Sequence, residues 1–368
     1  MSAIRDMDRW MVISLVVLLA IGITMVLNTS YLYSQERFGD GTYLFRKQLV
    51  AVAAGVIGLC AAVVLPPSVY RRLTVPLFVV ALASLVLVLL PGVGLVRGGA
   101  QRWLGVAPFV FQPSELAKVS FVLYLAYTLS RKGERLQQFV SGLLPPLLVT
   151  GLFVLLLLAE PDFGSAFILA IIAMAMLFVA GGRTTHLAAV AMAALPVAAF
   201  LIMTADYRVK RLLAFLDPWS DSANSGFQII QSYIAFGSGQ LWGRGLGQSR
   251  QKLHYLPEAH TDFIYSVIGE ELGLWGALLV VLLFGILLLR GMGLALERED
   301  SFTRLMVFGL TLLLGLQALV HMSVVMGLVP TKGLVLPFVS YGGSAMVVHL
   351  TVAGMLLSAS FRRDPPCD

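Results

Sequence analysis

The sequence predicts an all-α polytopic membrane protein, with ten transmembrane helices and a long extracytoplasmic loop between helices seven and eight. Three observations predict it. Hydrophobic residues make up 58% of the 368 positions and charged residues 12%, whereas soluble domains run near 45–50% and about 25%. Most apolar runs approach the roughly 20 residues that cross a hydrocarbon core. The Lys and Arg residues gather in short clusters between those runs, as at Arg71–Arg72, Arg131–Lys132 with Arg135, and Arg362–Arg363, which is how topology-setting charges are distributed. The net charge of +6 is therefore not spread over a basic face with interleaved aromatics, and nucleic acid is excluded as a partner.

The spans fall near 10–30, 47–65, 74–91, 114–130, 141–159, 162–180, 186–204, 263–290, 302–326 and 340–361, within one integral-membrane domain covering 1–368. The first follows Arg5 and Arg9 like a signal anchor and lacks a small-x-small cleavage site. The fourth opens at Pro113, which suits a first helical turn. Spans five and six are separated by Glu160-Pro161-Asp162, so a tight helical hairpin is expected. The 205–262 loop is rich in Gly and polar residues but contains "NSGFQIIQSYIAFGSG" (224–239), an amphipathic pattern with Phe227, Ile230 and Ile234 on one stripe. Placing both termini in the cytoplasm makes the cytoplasmic segments the denser in Lys and Arg. It also leaves 92–113, 205–262 and 327–340 outside. The two cysteines, one in an apolar run and one in the basic tail, make no redox motif.

The charged residues this chain does keep collect at that outer side. "LPEAHTDFIYSVIGEELG" (256–273) holds Glu258, His260, Asp262, Glu270 and Glu271. Thr261 is expected to cap the eighth helix, placing Asp262 in its first turn; a helix end stabilised by a carboxylate is the bland explanation. That position would lower the Asp262 pKa and weaken it as a base, whereas burial or Glu258 would raise it. Glu270 and Glu271 lie roughly 12 Å further along the axis, where carboxylates face a bundle interior or a wet cavity. In "FQPSELAK" (111–118), Glu115 and Lys118 are spaced i, i+3 and read either as a snorkelling ion pair or as a second wall of an outer cavity, with Arg102 upstream. "EPDFG" (160–164) is expected to supply turn chemistry and a cap. "GLVPTKGLVLPFVSYGGS" (327–344) combines two prolines and four glycines with Lys332. It predicts irregular backbone whose N–H groups, before the helix that holds Ser344, could receive a phosphate. No P-loop, nucleotide fingerprint or His-x-x-x-His is present, so energy for a reaction would come from the substrate.

With these motifs in order, and with "MVISLVVLLAIGITMVLNTS", "QRWLGVAPFVFQPSELAK", "EPDFGSA" and "GSGQLWGRGLGQSRQKLHYLPEAHTDFIYSVIGEELG", nearly the whole chain resembles the shape, elongation, division and sporulation (SEDS) family. "GLGQSRQKLHYLPEAHTDF" and "VPTKGLVLPF" are closer to its division member than to its elongation member. Ala345 after "SYGGS", where a second Ser is common, and Tyr265, where Phe is usual, depart from the pattern without touching an acidic position. The resemblance implies a peptidoglycan glycosyltransferase in the bacterial cytoplasmic (inner) membrane, at the division septum. It would polymerise lipid II, an undecaprenyl-diphosphate-linked disaccharide pentapeptide. Its partners would be a single-pass class B penicillin-binding protein, other divisome membrane proteins and membrane lipid. The family's essential aspartate falls on Asp262 and its Glu–Lys pair on Glu115 and Lys118. Glycan polymerisation needs a base for the acceptor hydroxyl and positive charge for the leaving diphosphate. Asp262 is the expected base, with Glu258, His260 and Ser344 among the substrate-binding candidates. Lys118, Arg102, Lys332 or a divalent cation such as Mg would meet the diphosphates.

Two other functions fit the same charges. A lipid II flippase would also carry intramembrane charge and broken helices, although transporter sites lie near the midplane and often between sequence repeats, and no repeat is visible here. A non-catalytic divisome scaffold would bind the same partner and would tolerate loss of Asp262.

Overall fold

The computed structural model describes residues 7–97, 100–106, 109–204, 206–222, 226–252, 256–331 and 333–361. Its elements, in chain order, are α1 (Arg9–Phe38), α2 (Tyr43–Val64), α3 (Pro67–Leu89), β1 (Leu95–Arg97), β2 (Ala100–Val106), β3 (Phe109–Phe111), α4 (Pro113–Ser130), α5 (Leu144–Ala159), α6 (Phe163–Val179), α7 (Thr184–Met203), α8 (Asp206–Leu216), α9 (Phe227–Gly239), α10 (Ile264–Glu297), α11 (Ser301–Val325) and α12 (Gly343–Phe361). Among the described residues, eight helical segments are long and apolar enough to cross a membrane: α1, α2, α3, Phe139–Ala159 containing α5, α7, α10, α11 and α12 through Ser360. The protein is a multi-pass membrane protein built of helices. Large apolar side chains such as Ile57, Leu148, Leu155, Phe200 and Leu289 stay exposed on its outer surface, where bilayer hydrocarbon replaces water as solvent.

Helix boundaries follow from local chemistry. Asp8 caps α1 by accepting the Trp10 and Met11 N–H groups at 3.0 and 3.1 Å. Pro67 and Pro113 open α3 and α4, positions where the missing N–H costs nothing. Asp162 caps α6, accepting from the Ser165 N–H at 3.0 Å and its hydroxyl at 2.7 Å, so the turn-and-cap expectation for "EPDFG" matches the geometry. Asp300 caps α11 in the same way through Thr303. At 30 residues, α1 is about 45 Å long. It outruns the roughly 30 Å hydrocarbon core, and its last turns reach the loops that form the site.

Inside the bundle α12 lies along α2, α10 along α11 and α1, and α4 between α3 and α11. Both α4 and α11 are buried around most of their circumference. By contrast α7 buries, among the described residues, only Leu187, and it stands at the edge of the bundle beside α6.

Three local expectations are corrected, and α10 carries a break that the sequence reading does not address. Residues 95–97, 100–106 and 109–111 form a three-stranded antiparallel sheet, order β1-β2-β3, with Leu95 opposite Trp103 and Leu104 opposite Phe111. An all-α reading passes over it because strands this short show no long alternation. The amphipathic segment does form a helix, α9, but its buried face is Ile229, Ile230, Ser232 and Ala235 against α10, while Ile234 is exposed. The stripe is turned because a helix over 227–239 must place its small residues where α10 comes closest. Thr261 does not cap α10, whose first residue is Ile264. Asp262 therefore lies in a turn before the helix, not in its first turn. Finally, α10 is interrupted at Gly273, with φ 67° and ψ −163°, a conformation essentially confined to glycine.

Candidate active site

The turn that carries Asp262 is built around one residue. Glu258 adopts a left-handed φ of 55°, and its carbonyl accepts the N–H groups of Thr261, Asp262 and Phe263 at 3.1, 3.1 and 3.3 Å. The Thr261 hydroxyl closes the turn by donating to the Glu258 carboxylate at 3.0 Å. A second loop braces it: the Ser340 hydroxyl donates to Thr261 O at 2.7 Å, and Tyr341 N–H donates to His260 O at 2.9 Å. Local strain of this kind persists only where surrounding contacts over-determine it.

Asp262 is half-buried at the head of a cleft of about 1860 Å³. Gly333 packs against it; a Cβ there would sit 3.3 Å from Asp262 Oδ2. Burial, and then the neighbouring Glu258 charge, push the Asp262 pKa up to about 7, with Arg211 and Arg102 pulling the other way. This is the reverse of the lowering that a first-turn position predicts. Desolvation acts here without the helix N-terminus that would have opposed it.

The cleft has two kinds of wall. Its rim is cationic: Arg102 from β2, Arg208 and Arg211 from α8, and Arg46 and Lys47 from the first turn of α2. Its depth is apolar, lined by Phe167 and Ile171 of α6, Ile202 of α7, Leu319 of α11, Val348 of α12 and Val50 of α2. The cations are held in place. Arg102 donates to the Glu160 and Pro161 carbonyls at 2.9 and 2.5 Å. Arg208 donates to Leu201 O at 2.6 Å and lies over the Phe163 ring at 5.8 Å. Arg211 reaches Thr331 O at 3.4 Å. Arg46 pairs with Asp40, and Lys47 lies 4.5 Å over the Tyr43 ring. Beneath Arg102 the Glu160 carboxyl is fully buried, and burial with the Asp162 charge raises its pKa to about 8.

The sequence candidates separate into those on the cleft and those behind it. Asp262, Glu258, Arg102 and Ser344 line it. The Ser344 hydroxyl accepts the Gln112 N–H at 3.1 Å and donates to Val110 O at 3.3 Å, tying α12 to the start of α4. His260 does not line the cleft. It is buried between the Tyr33 and Tyr341 rings, with centroids at 5.1 and 5.6 Å, and burial lowers its pKa against the pull of Glu258. Nor do Glu115 and Lys118, expected in a cavity wall: they form a buried ion pair at 2.8 Å inside the bundle. His349 stands 3.6 Å from the same Glu115 carboxylate and 3.1 Å from Gln317. One helical face turned inward explains the displacement, since i, i+3 spacing fixes a shared face but not what that face meets. Lys332 lies outside the described residues.

Glu270 and Glu271 have a different task from cavity lining. The Glu270 carboxylate accepts from Arg250 N–H at 3.1 Å, Gln251 N–H at 3.3 Å and the Ser249 hydroxyl. Glu271 accepts from Gly247 N–H at 3.0 Å, Ser249 N–H at 3.1 Å and Asn28. Adjacent on the helix, they nonetheless grip one loop, because the Gly273 kink leaves their carbonyls free to accept Arg244 and Gly245 N–H at 3.0 Å each.

Sequence reasoning missed Arg46, Lys47, Arg208 and Arg211. The only signal for the last two is their i, i+3 spacing in "DYRVKRLLAFL", and nothing local marks the first two as more than flanking charges. For a divalent cation, Glu258 and Asp262 offer two carboxylates, and among the described residues no three of His, Cys, Asp and Glu gather to hold a metal. Two carboxylates plus phosphate oxygens suit a magnesium ion carried in on a diphosphate.

The family model described as a cell cycle protein, for FtsW, RodA and SpoVE, matches residues 9–364. A probable peptidoglycan glycosyltransferase FtsW of Geobacter sp. (strain M18) is 43% identical over 362 residues, covering 98% of this chain and 99% of that protein. Stage V sporulation protein E of Bacillus subtilis (strain 168) is 39% identical over 353 residues, with 96% of each chain covered. Among solved structures, the rod shape determining protein RodA of Thermus thermophilus aligns with a TM-score of 0.72 at 28% identity over 96% of each chain. A chain from a peptidoglycan synthase complex that coordinates polymerization and crosslinking aligns with a TM-score of 0.79 at 29% identity, over 96% of this chain and 97% of that one. Matched along almost its whole length, the chain belongs to the cell cycle protein family of FtsW, RodA and SpoVE, the SEDS family that its motifs resemble.

Proposed function

We propose that this protein is a peptidoglycan glycosyltransferase of the division type, polymerising lipid II at the outer face of the cytoplasmic membrane during septal wall synthesis. One observation carries the reading. A carboxylate with a pKa near 7 stands at the head of a cleft with a cationic rim and apolar depth, which suits a diphosphate joined to a long hydrocarbon. The identity to relatives named as peptidoglycan glycosyltransferases supports it.

In the proposed step the Asp262 carboxylate takes the proton of the acceptor sugar's 4-hydroxyl. That oxygen bonds to the anomeric carbon of the lipid-linked strand, and the carbon–oxygen bond to the diphosphate breaks, its electron pair leaving with the polyprenyl diphosphate. A base poised near the working pH is the efficient choice, and the fixed guanidinium groups stabilise the leaving charge without reorganisation. Glu258 keeps the Asp262 pKa high, and Ser344 and His260 hold the surrounding backbone. Glu115 and Lys118 position α4 against α12. Magnesium arriving on the diphosphate would add positive charge at the leaving group, with Glu258 as its protein oxygen ligand and Asp262 left free as the base.

The same reading takes α4 and α6 as the ninth and tenth spans. At 18 residues, α4 is about 27 Å long, and its charged pair is enclosed by neighbouring helices and avoids lipid. Both termini then face the cytoplasm, and β1–β3, 206–263 and 327–342 face outward. A class B penicillin-binding protein that cross-links the new strands is the proposed partner, with other divisome membrane proteins at the septum. Similarity to a chain from a synthase complex supports that partnership.

The test is lipid II polymerisation in detergent by the purified protein with its class B partner, beside Asp262→Asn and Asp262→Ala. Wild type is expected to make glycan strands, and both variants to lose at least about 100-fold in rate while still binding the partner. Equal product from all three would return Asp262 to a structural role. A flippase needs two compartments, so polymer formed in detergent excludes a transporter that does nothing else.

A further inference from the structure

Residues 333–342 form the second loop at the Asp262 turn, and a side chain outside the cleft holds one end of it. We infer that His321 of α11 is a positioning residue for the transfer: its ring N–H fixes the segment 333–336 against the Asp262 turn, keeping the base in place and water away from it. The inference rests on the glycosyltransferase reading.

Side chains along this segment alternate, as they do in extended chain. Gly333 and Val335 line the cleft, whereas Leu334 and Leu336 are buried behind it. Gly333 packs against Asp262, where a Cβ would come within 3.3 Å of Oδ2. The Leu334 side chain goes the other way, onto Gly164 at the start of α6, where a Cβ would lie 3.0 Å from its Cγ. Between these contacts the Leu334 carbonyl stands 2.7 Å from His321 Nδ1. A carbonyl can only accept, so Nδ1 carries the hydrogen and donates it.

The far end of the loop is pinned to the Asp262 turn itself. The Ser340 hydroxyl accepts the Leu336 N–H at 2.9 Å and donates to Thr261 O. Gln48 of α2 donates to Ser340 O at 3.3 Å and accepts the Gly342 N–H at 3.2 Å. The loop is thus stretched between α11 and the turn that carries the base, and His321 supplies the hold on the α11 side.

A buried polar ring is costly unless it has a bond to make. His321 does not line the cleft, is 1% exposed, and lies one turn before the end of α11. Its other nitrogen, Nε2, has no partner among the described residues, so the bond to Leu334 is the polar contact that the ring makes. Releasing Leu334 would let Gly333 and Val335 lift from the cleft wall and leave the brace at Thr261 on a slack loop. A displacement of about 1 Å at a reacting group can cost up to about 100-fold in rate. Substrate binding would be spared, because the cationic rim is carried by β2, α8 and α2 and not by this segment.

The bond can be removed with little change of shape. Asn carries its Nδ2 on the same Cγ that carries Nδ1 in His, and it lacks only the unpartnered far side of the ring. Leu branches at the same atom and has no donor. Lipid II polymerisation by the purified protein with its class B partner would give kcat and KM for wild type, His321→Asn and His321→Leu, with thermal unfolding and partner binding as controls. His321→Leu is expected to lower kcat about tenfold or more with KM within about twofold, and His321→Asn to stay within about threefold of wild type in both. Should His321→Leu fail to fold, His321→Ser, whose hydroxyl bonds back to its own helix and cannot reach Leu334, carries the same expectation. An unchanged kcat in the folded variant, a rise in KM that accounts for the loss, or His321→Asn no better than the variant without a donor would overturn the role of His321 and leave the polymerase reading intact. No polymer from wild type would remove that reading and this role with it.

Discussion

Asp262 shows how far one side chain's chemistry depends on what surrounds it. Placed a few residues earlier than a helical first turn, half-buried beside Glu258, it keeps its proton until about pH 7. Only the carboxylate can act as a base, so the polymerisation rate is expected to rise with pH through about 7 and then level. Glu258→Gln removes a charge that raises the pKa, so the rising limb should move toward lower pH; an unmoved limb would mean that another group controls it. Stability runs the other way. Between the ordinary carboxylate range and about pH 7 the folded chain holds a proton here that the unfolded chain has released. This group therefore favours the folded state on the acid side, and its contribution is lost as pH rises through about 7. Glu160, raised to about 8 by burial and by Asp162, acts in the same direction over a slightly wider window.

Among the elements, α10 bears most on the site because it is broken. The Gly273 kink turns the carbonyls of Glu270 and Glu271 toward Arg244 and Gly245, while their carboxylates take the next N–H groups of the same loop. Carboxylates receiving several backbone donors make strong charge-assisted bonds, and the loop they hold precedes the Asp262 turn in the sequence. A Cβ at Gly273 would meet Gly243 N at 2.4 Å and Leu241 O at 2.6 Å, backbone atoms that cannot swing aside. Gly273→Ala is expected to cost about 3 kcal/mol or more, combining the forbidden dihedral with the clash. Hydrogen exchange should show residues 244–252 losing protection before α10 does. Unchanged protection in that loop would mean that the kink does not dock it.

The whole bundle is joined by a polar contact in its interior. Glu115 and Lys118 on α4, His349 on α12 and Gln317 on α11 meet where three helices pack. Removing one member of a buried pair leaves an uncompensated charge, at a cost of about 3–5 kcal/mol, whereas replacing both is often nearly neutral. Lys118→Met is therefore expected to lower the unfolding temperature in detergent strongly, and Glu115→Gln/Lys118→Met to recover most of the loss. If the double variant were no more stable than the single one, the pair would not be behaving as a coupled unit. Activity measured on the recovered variant separates positioning from simple stability, since the pair does not reach the cleft.

Residue order alone establishes that the chain spans a membrane many times, because apolar runs of spanning length have few alternatives in water or lipid. It also marked helix starts at Pro113 and Asp162, because caps and prolines act through their nearest neighbours, but it placed the third span near 74 where the helix begins at Pro67. Asp262, Glu258, Arg102 and Ser344 were legible as a cluster because they share one stretch or one side of the membrane. Tertiary structure decided the rest. It turned the Glu115–Lys118 face inward and sealed His260 between two tyrosines. It set two adjacent glutamates to hold a loop, and it brought arginines from α8 to the same cleft as a carboxylate more than fifty positions away. Spacing along a chain fixes which residues share a face; burial, charge neighbours and pKa depend on what that face meets, and only packing between distant elements supplies it.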